Sequence, residues 1–117
     1  MYIREDSRGL FVEIVNTGPW ETVISGAMRK GAVMGNHYHK RTRCLMFLTS
    51  GAARVEVVAV ESGSRSSTRI WAREGVYLEP NHAHAIRFDE DSTFILAKSL
   101  SYSENDPDTF PYVVAGQ

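Results

Sequence analysis

The sequence is poor in cysteine, in charge of one sign, in long apolar runs and in helical periodicity. Cys44 is its one cysteine, so no intrachain disulfide can staple the fold, and a reducing, cytoplasmic setting is the simplest reading. Lys and Arg number 13 against 14 Asp and Glu, a net charge of −1. The signs are mixed along the chain, which points to no nucleic acid and no anionic membrane as partner. No apolar run approaches the roughly 20 residues that cross a bilayer. Met1-Tyr2-Ile3-Arg4-Glu5-Asp6 lacks the charged-then-apolar layout of a signal peptide. Nowhere do apolar residues recur at i, i+3, i+4 and i+7 over a long segment, so few or no helices are expected.

What is present is a single domain over residues 1–117, 43% apolar and 10% aromatic, long enough for one core. Short β-rich runs are punctuated by Gly, Ser, Asn and Pro. They place strands at about 10–16, 22–28, 35–39, 44–49, 54–60, 69–72, 75–79, 83–88 and 93–100, and so predict an all-β sandwich or barrel. The segment 61–67 reads as a polar hairpin tip and 89–92 as an acidic turn. Residues 101–117 hold Pro107 and Pro111 and read as an irregular C-terminal tail. Tyr102, Phe110, Tyr112 and Val113 give that tail apolar surface with which to dock. In Cys44-Leu45-Met46-Phe47-Leu48 both faces of a strand are apolar. Two readings follow: burial between the sheets of one subunit, or cover by a second copy in a homodimer.

The four histidines fall in two clusters. His37 and His39 stand at i, i+2 between Gly31 and Gly51, and in a strand such residues share a face. His82 and His84 follow the turn signal Pro80-Asn81. If the face holding His84, Ile86 and Phe88 is the barrel interior, His84 meets His37 and His39. Tyr38, between the first pair, is expected on the opposite face. Trp20 and Trp71 are read as core or interface residues, and the scattered arginines and lysines mostly as solvated.

Gly31…His37-x-His39…Gly51 and Gly75…Pro80…His84 resemble the two cupin motifs, in their order and separation. The resemblance implies a cupin-type double-stranded β-helix, a small jelly-roll barrel in which two His and a Glu of the first motif and a His of the second hold a metal. Here the Glu position, seven residues before Gly51, is Cys44. Asp6-Ser7-Arg8-Gly9-Leu10-Phe11-Val12-Glu13 is similar to the entry segment of deoxysugar 3,5-epimerases, which implies Arg8 and Glu13 as substrate-binding residues, often across a dimer. Residues 1–20 would then carry a strand to a dimer interface. Gly35-Asn36-His37-Tyr38-His39 and Pro107-Asp108-Thr109-Phe110 resemble the C-terminal cupin domain of bifunctional capsular-polysaccharide enzymes. His37-x-His39-Lys40 resembles a motif of nucleotide-sugar 3,4-ketoisomerases. The resemblances together run from residue 6 to residue 110.

They imply an isomerase-class enzyme that moves a proton beside the carbonyl of a keto-deoxy nucleotide sugar, with His37, His39 and Lys40 as catalytic candidates. Such chemistry needs a base and a group that stabilises the enolate oxygen. One form of the site has His37, His39, Cys44 and His84 holding a divalent metal, zinc favoured, with iron or nickel also compatible. The other is metal-free, with His37 or His39 as the base. Two alternatives stand beside it. One is a non-enzymatic cupin that binds a metal or a sugar. The other resembles the thiol dioxygenases, Fe(II) cupins in which a Cys at the Glu position is unligated.

Overall fold

Turn residues cut the chain into eleven strands in a computed structural model that describes residues 2–116. In chain order they are β1 (Tyr2–Asp6), β2 (Gly9–Glu13), β3 (Thr22–Met28), β4 (Val33–Tyr38), β5 (Cys44–Ser50), β6 (Ala52–Ala59), β7 (Arg65–Trp71), β8 (Gly75–Leu78), β9 (His82–Phe88), β10 (Ser92–Lys98) and β11 (Phe110–Pro111). No helix occurs among the described residues, so none is long and apolar enough to cross a membrane. β1 and β2 form a separate hairpin, one sheet runs β3-β10-β5-β8, and the other runs β11-β4-β9-β6-β7. All pairings are antiparallel. Two such sheets closed over one interior form a jelly-roll barrel.

Alternation along each strand builds the core. Cys44, Met46, Leu48, Leu78 and Phe94 of one sheet meet Ala53, Val55, Ile70, Ile86 and Phe88 of the other. Phe88 and Phe94 stack with centroids 6.0 Å apart. Burying a side chain such as Met46 or Leu48 contributes roughly 1.5–3 kcal/mol. Leu45 and Phe47, on the opposite face of β5, are just as buried. Gly75 lies beside both, and a methyl group there would meet Phe47 Cδ2 at 3.2 Å and Leu45 Cδ1 at 3.5 Å. One chain therefore covers both faces of β5 without a partner.

The nine expected strands all form, with ends displaced by up to a few residues. β7 begins at Arg65, inside the stretch read as a hairpin tip. It is an edge strand, exposed over Arg65–Arg69, and an edge tolerates that polarity. β1 and β11 carry no sequence signal of their own. β1 has only Tyr2 and Ile3 as apolar residues, and β11 is two residues long.

The tail is ordered by specific anchors. Tyr112, Val114 and Ala115 pack on the outer face of the second sheet against Val58, Ala83 and Ala85. The backbone N–H groups of Val114 and Ala115 donate to Asn36 Oδ1 at 2.8 and 3.0 Å, and Arg65 donates to the Val114 carbonyl at 2.8 Å. Phe110 stacks on Tyr38 at 5.4 Å. Tyr102 and Val113 do not dock and stay exposed.

Candidate functional site

The site begins with an irregularity in β4. Met34 faces Ile86 and Gly35 faces Ala85, but it is His37 that faces His84, so Asn36 is an extra residue. Gly35 has φ +102° and Asn36 φ +59°, values that glycine and asparagine tolerate best. This bulge shifts the alternation by one. Without it, Met34 and His37 would point to opposite faces. With it, both point into the barrel, and Tyr38 points out to Phe110 and Tyr112. Gly35 also has no room for a side chain, since a methyl group there would lie 2.6 Å from the His84 carbonyl oxygen.

His39 stands just beyond the end of β4, and His84 sits within β9. The three rings converge, with centroids 4.7 Å apart for His37–His84, 5.0 Å for His37–His39 and 5.8 Å for His39–His84. One nitrogen from each lies within 4.8 Å of the other two. They border a cavity of about 200 Å³ that is also lined by Met34, Cys44, Leu78, Ile86, Leu96 and Lys98. A second cavity of about 240 Å³ meets it at Leu78 and His84, and adds Ser66, Thr68, Glu79 and His82.

Burial pushes the His84 imidazolium down to about 3, and the neighbouring His37 and His39 push the same way. Burial also lowers His37, helped by the charges of His39 and Lys98. Both rings are therefore neutral near pH 7 and keep a lone pair. His84 Nδ1 is buried and has no hydrogen-bond partner among the described residues, a costly state unless something binds it. Three converging imidazoles, with an unpartnered ring nitrogen on His84, fit a divalent ion of the zinc, iron or nickel class.

The depressed His84 predicts acid sensitivity. Above about pH 6.5 the ring is neutral in both folded and unfolded chains, and contributes no pH dependence. Below that, the unfolded chain takes up a proton that the folded chain refuses until about pH 3. Stability therefore falls as pH falls, by about 2 kcal/mol at pH 5. Urea midpoints between pH 7 and 5 measure it, and His84→Gln should flatten the curve. A native curve already flat over that range contradicts the assignment.

The remaining expected site residues are not all brought together. Cys44 lines the cavity but lies outside the three-nitrogen cluster, packed with Met46 and Leu48. Burial pushes its thiol up to about 11, against a downward pull from Lys98. Lys40 is exposed, its ammonium 4.3 Å from the Phe110 ring centroid and away from the histidines. Arg8 and Glu13 sit on the exposed β1–β2 hairpin, where Arg8 pairs with Asp6 at 2.8 Å. Neither lines the histidine cavities of its own chain.

Two further residues join the site that were not expected there. Lys98, which faces Cys44 across the β10–β5 ladder, lines the cavity. Its same-face relation to Leu96 was the available signal. Asp108 reaches back from the tail. Its carboxylate accepts from the backbone N–H of Lys40 at 2.9 Å, Arg41 at 2.9 Å and Thr42 at 2.7 Å, and from Thr42 Oγ1 at 2.8 Å. Its carbonyl oxygen lies 2.5 Å from His39 Nδ1. Burial raises the Asp108 carboxyl, but these donors outweigh it and hold the group at about 2.

The family model described as polysaccharide biosynthesis C-terminal domain matches residues 4–110. No curated protein matches the chain. Among solved structures, the capsular polysaccharide assembling protein CapF of Staphylococcus aureus superimposes with a TM-score of 0.75 at 23% identity, over 97% of this chain and 34% of CapF. This chain thus spans about a third of CapF's length. The dTDP-4-dehydrorhamnose 3,5-epimerase of Sulfolobus tokodaii gives 0.77 at 22% identity, over 88% of this chain and 69% of the epimerase. A 3,4-ketoisomerase of Helicobacter canadensis gives 0.80 at 16% identity, over 93% and 84%. These likenesses fix the fold as the cupin jelly roll.

Proposed function

We propose that this chain, which belongs to the polysaccharide biosynthesis C-terminal domain family, acts on a keto-deoxy nucleotide sugar as an epimerase or isomerase. The observation that carries the reading is the trio of imidazoles set within 4.8 Å on the wall of an interior cavity. The epimerases and ketoisomerase that share its fold add to it.

The chemistry divides among the chain's own residues. His37 or His39 takes a proton from the carbon beside the carbonyl, and the C–H electrons pass to the carbonyl oxygen as an enolate. Of the imidazoles, His84 is the poorest base, because burial depresses it most. The Lys98 ammonium, on the same cavity wall, offsets the developing negative charge. The carbon inverts when water protonates the enolate from the opposite face and the hydroxide so formed takes up the proton held by the imidazolium. The carbonyl moves when the imidazolium instead gives its proton to the former carbonyl carbon and the proton of the adjacent hydroxyl passes to the old carbonyl oxygen. In the alternative form of the site His37, His39 and His84 would hold a divalent ion that polarises the carbonyl as a Lewis acid, and their ligating lone pairs would then not serve as the base.

Arg8 and Glu13 enter this reading through a second copy. The hairpin that bears them exposes Tyr2, Ile3, Leu10 and Phe11, surface that suits an interface between copies in a cytoplasmic homodimer. Arg8 would then serve the diphosphate of a substrate held by the partner.

Incubating the chain in D₂O with a panel of 4-keto nucleotide sugars tests the reading. Deuterium should enter at a carbon beside the carbonyl. A panel with no exchange overturns the enzymatic reading. A binding-only cupin is the second reading, favoured by the cavity around the triad carrying no carboxylate among its lining residues. It predicts thermal stabilisation by metal or sugar with no exchange.

A further inference from the structure

We propose that Asp108 is a positioning residue that sets the tautomer and orientation of His39. The proposal rests on the reading above only in taking His39 as a working member of the site.

His39 lies outside the β4 ladder, so strand pairing does not fix its ring. The ring nitrogen Nδ1 instead sits 2.5 Å from the Asp108 carbonyl oxygen. A carbonyl oxygen only accepts, so Nδ1 must carry the proton. A neutral imidazole has one such proton, which leaves Nε2 bare as the acceptor or ligand nitrogen. The hydrogen bond thus decides which nitrogen of His39 does the chemistry. Thr109 Oγ1, 3.5 Å from the same Nδ1, adds a weak second contact.

The carbonyl stays in place because the same residue is clamped from its other end. The backbone N–H groups of Lys40, Arg41 and Thr42 converge on the carboxylate, and the Thr42 hydroxyl joins them. Two residues on, Phe110 pairs with Tyr38 in the β11–β4 ladder. Residues 108–110 are therefore tied to the chain on both sides of His39. The clamp needs both carboxylate oxygens as acceptors, Oδ1 for Lys40 and Oδ2 for Arg41 and Thr42. An asparagine amide would set an NH₂ against at least one of those donors. A segment some 70 residues downstream in the chain thereby sets the chemistry of the first histidine pair.

Nitrogen-15 spectra of the imidazoles in the full-length, chelator-treated chain at about pH 8.5, above the ordinary imidazole range, test this. The native chain should show His39 as one neutral tautomer, protonated on Nδ1. In Asp108→Asn and Asp108→Ala the second tautomer should appear, and exchange of the Nδ1 proton with water should quicken by about 10-fold or more. Thr42→Val loosens the same loop by one bond and should leave the tautomer unchanged. A native His39 protonated on Nε2 overturns the proposal without any variant. So does a folded Asp108→Asn whose His39 keeps the native tautomer and exchange rate. If Asp108→Ala does not fold, the native spectrum and Asp108→Asn still decide. The readout needs no substrate, so it stands or falls separately from the epimerase reading.

Discussion

Replacing His37 with alanine is expected to cut deuterium uptake into a 4-keto nucleotide sugar by about 10³-fold or more, and to strip any bound divalent metal. General acid–base groups typically contribute 10²–10⁴-fold, and in the metal-bound form the loss comes instead from the missing ligand. His37 is the sharpest place to ask because it is central to the cluster, its ring being 4.7 Å from His84 and 5.0 Å from His39. It is also the least structural of the three. His39 and His84 are buried, whereas His37 is only half-buried. Truncation there should leave the barrel folded, so lost activity can be read as lost chemistry. Elemental analysis beside the exchange assay separates two forms of the site. Metal and exchange lost together mean that His37 is a ligand. Exchange lost from a chain that holds no metal in native form means that the imidazole is the base itself. A His37→Ala chain with native exchange removes His37 from the mechanism and leaves His39 as the base.

Much of this site was legible because histidines are few and their spacing is regular. His37, His39 and His84 meet as parity and clustering predict, and Tyr38 points away from them. The route to that parity was not legible. Simple alternation from Val33 would turn His37 outward, and only the extra residue at Gly35-Asn36 turns it back. Gly-Asn signals positive φ, but nothing local distinguishes a bulge from a turn. Asp108 stands in a visible motif, but what it does there was equally hidden. Its role rests on a backbone carbonyl and on three N–H groups more than 60 residues away, and backbone partners leave no mark in a side-chain pattern. Cys44 and Lys40 fail to join the cluster for a related reason. Spacing from a motif places a residue along the strand. It does not settle whether a thiol turns into the apolar core or an ammonium settles over Phe110. The hairpin residues Arg8 and Glu13 show the limit of one chain, since their expected partner is a second copy.

The bulge itself can be tested by its smallest perturbation. Gly35→Ala is expected to destabilise the chain by about 3–5 kcal/mol and to lower Tm by about 10–20 °C. Two costs combine. The backbone at φ +102° disfavours any side chain, and the added methyl would lie 2.6 Å from the His84 carbonyl oxygen and 3.2 Å from His84 Cδ2. Gly31 and Gly63 separate these costs. Both have positive φ, +88° and +75°, but a methyl group at either meets nothing within 4 Å. Alanine there should cost only the backbone term, about 1–2 kcal/mol. The difference between Gly35→Ala and these two controls measures the close approach of β4 to β9. The collision is with the residue that carries the buried imidazole, so the variant should also lose the His37–His84 contact. If the native chain binds a divalent metal, its retention should then fall even at temperatures where Gly35→Ala remains folded. A Gly35→Ala chain as stable as Gly31→Ala, with native metal content, would mean that the bulge does not hold the histidines in place.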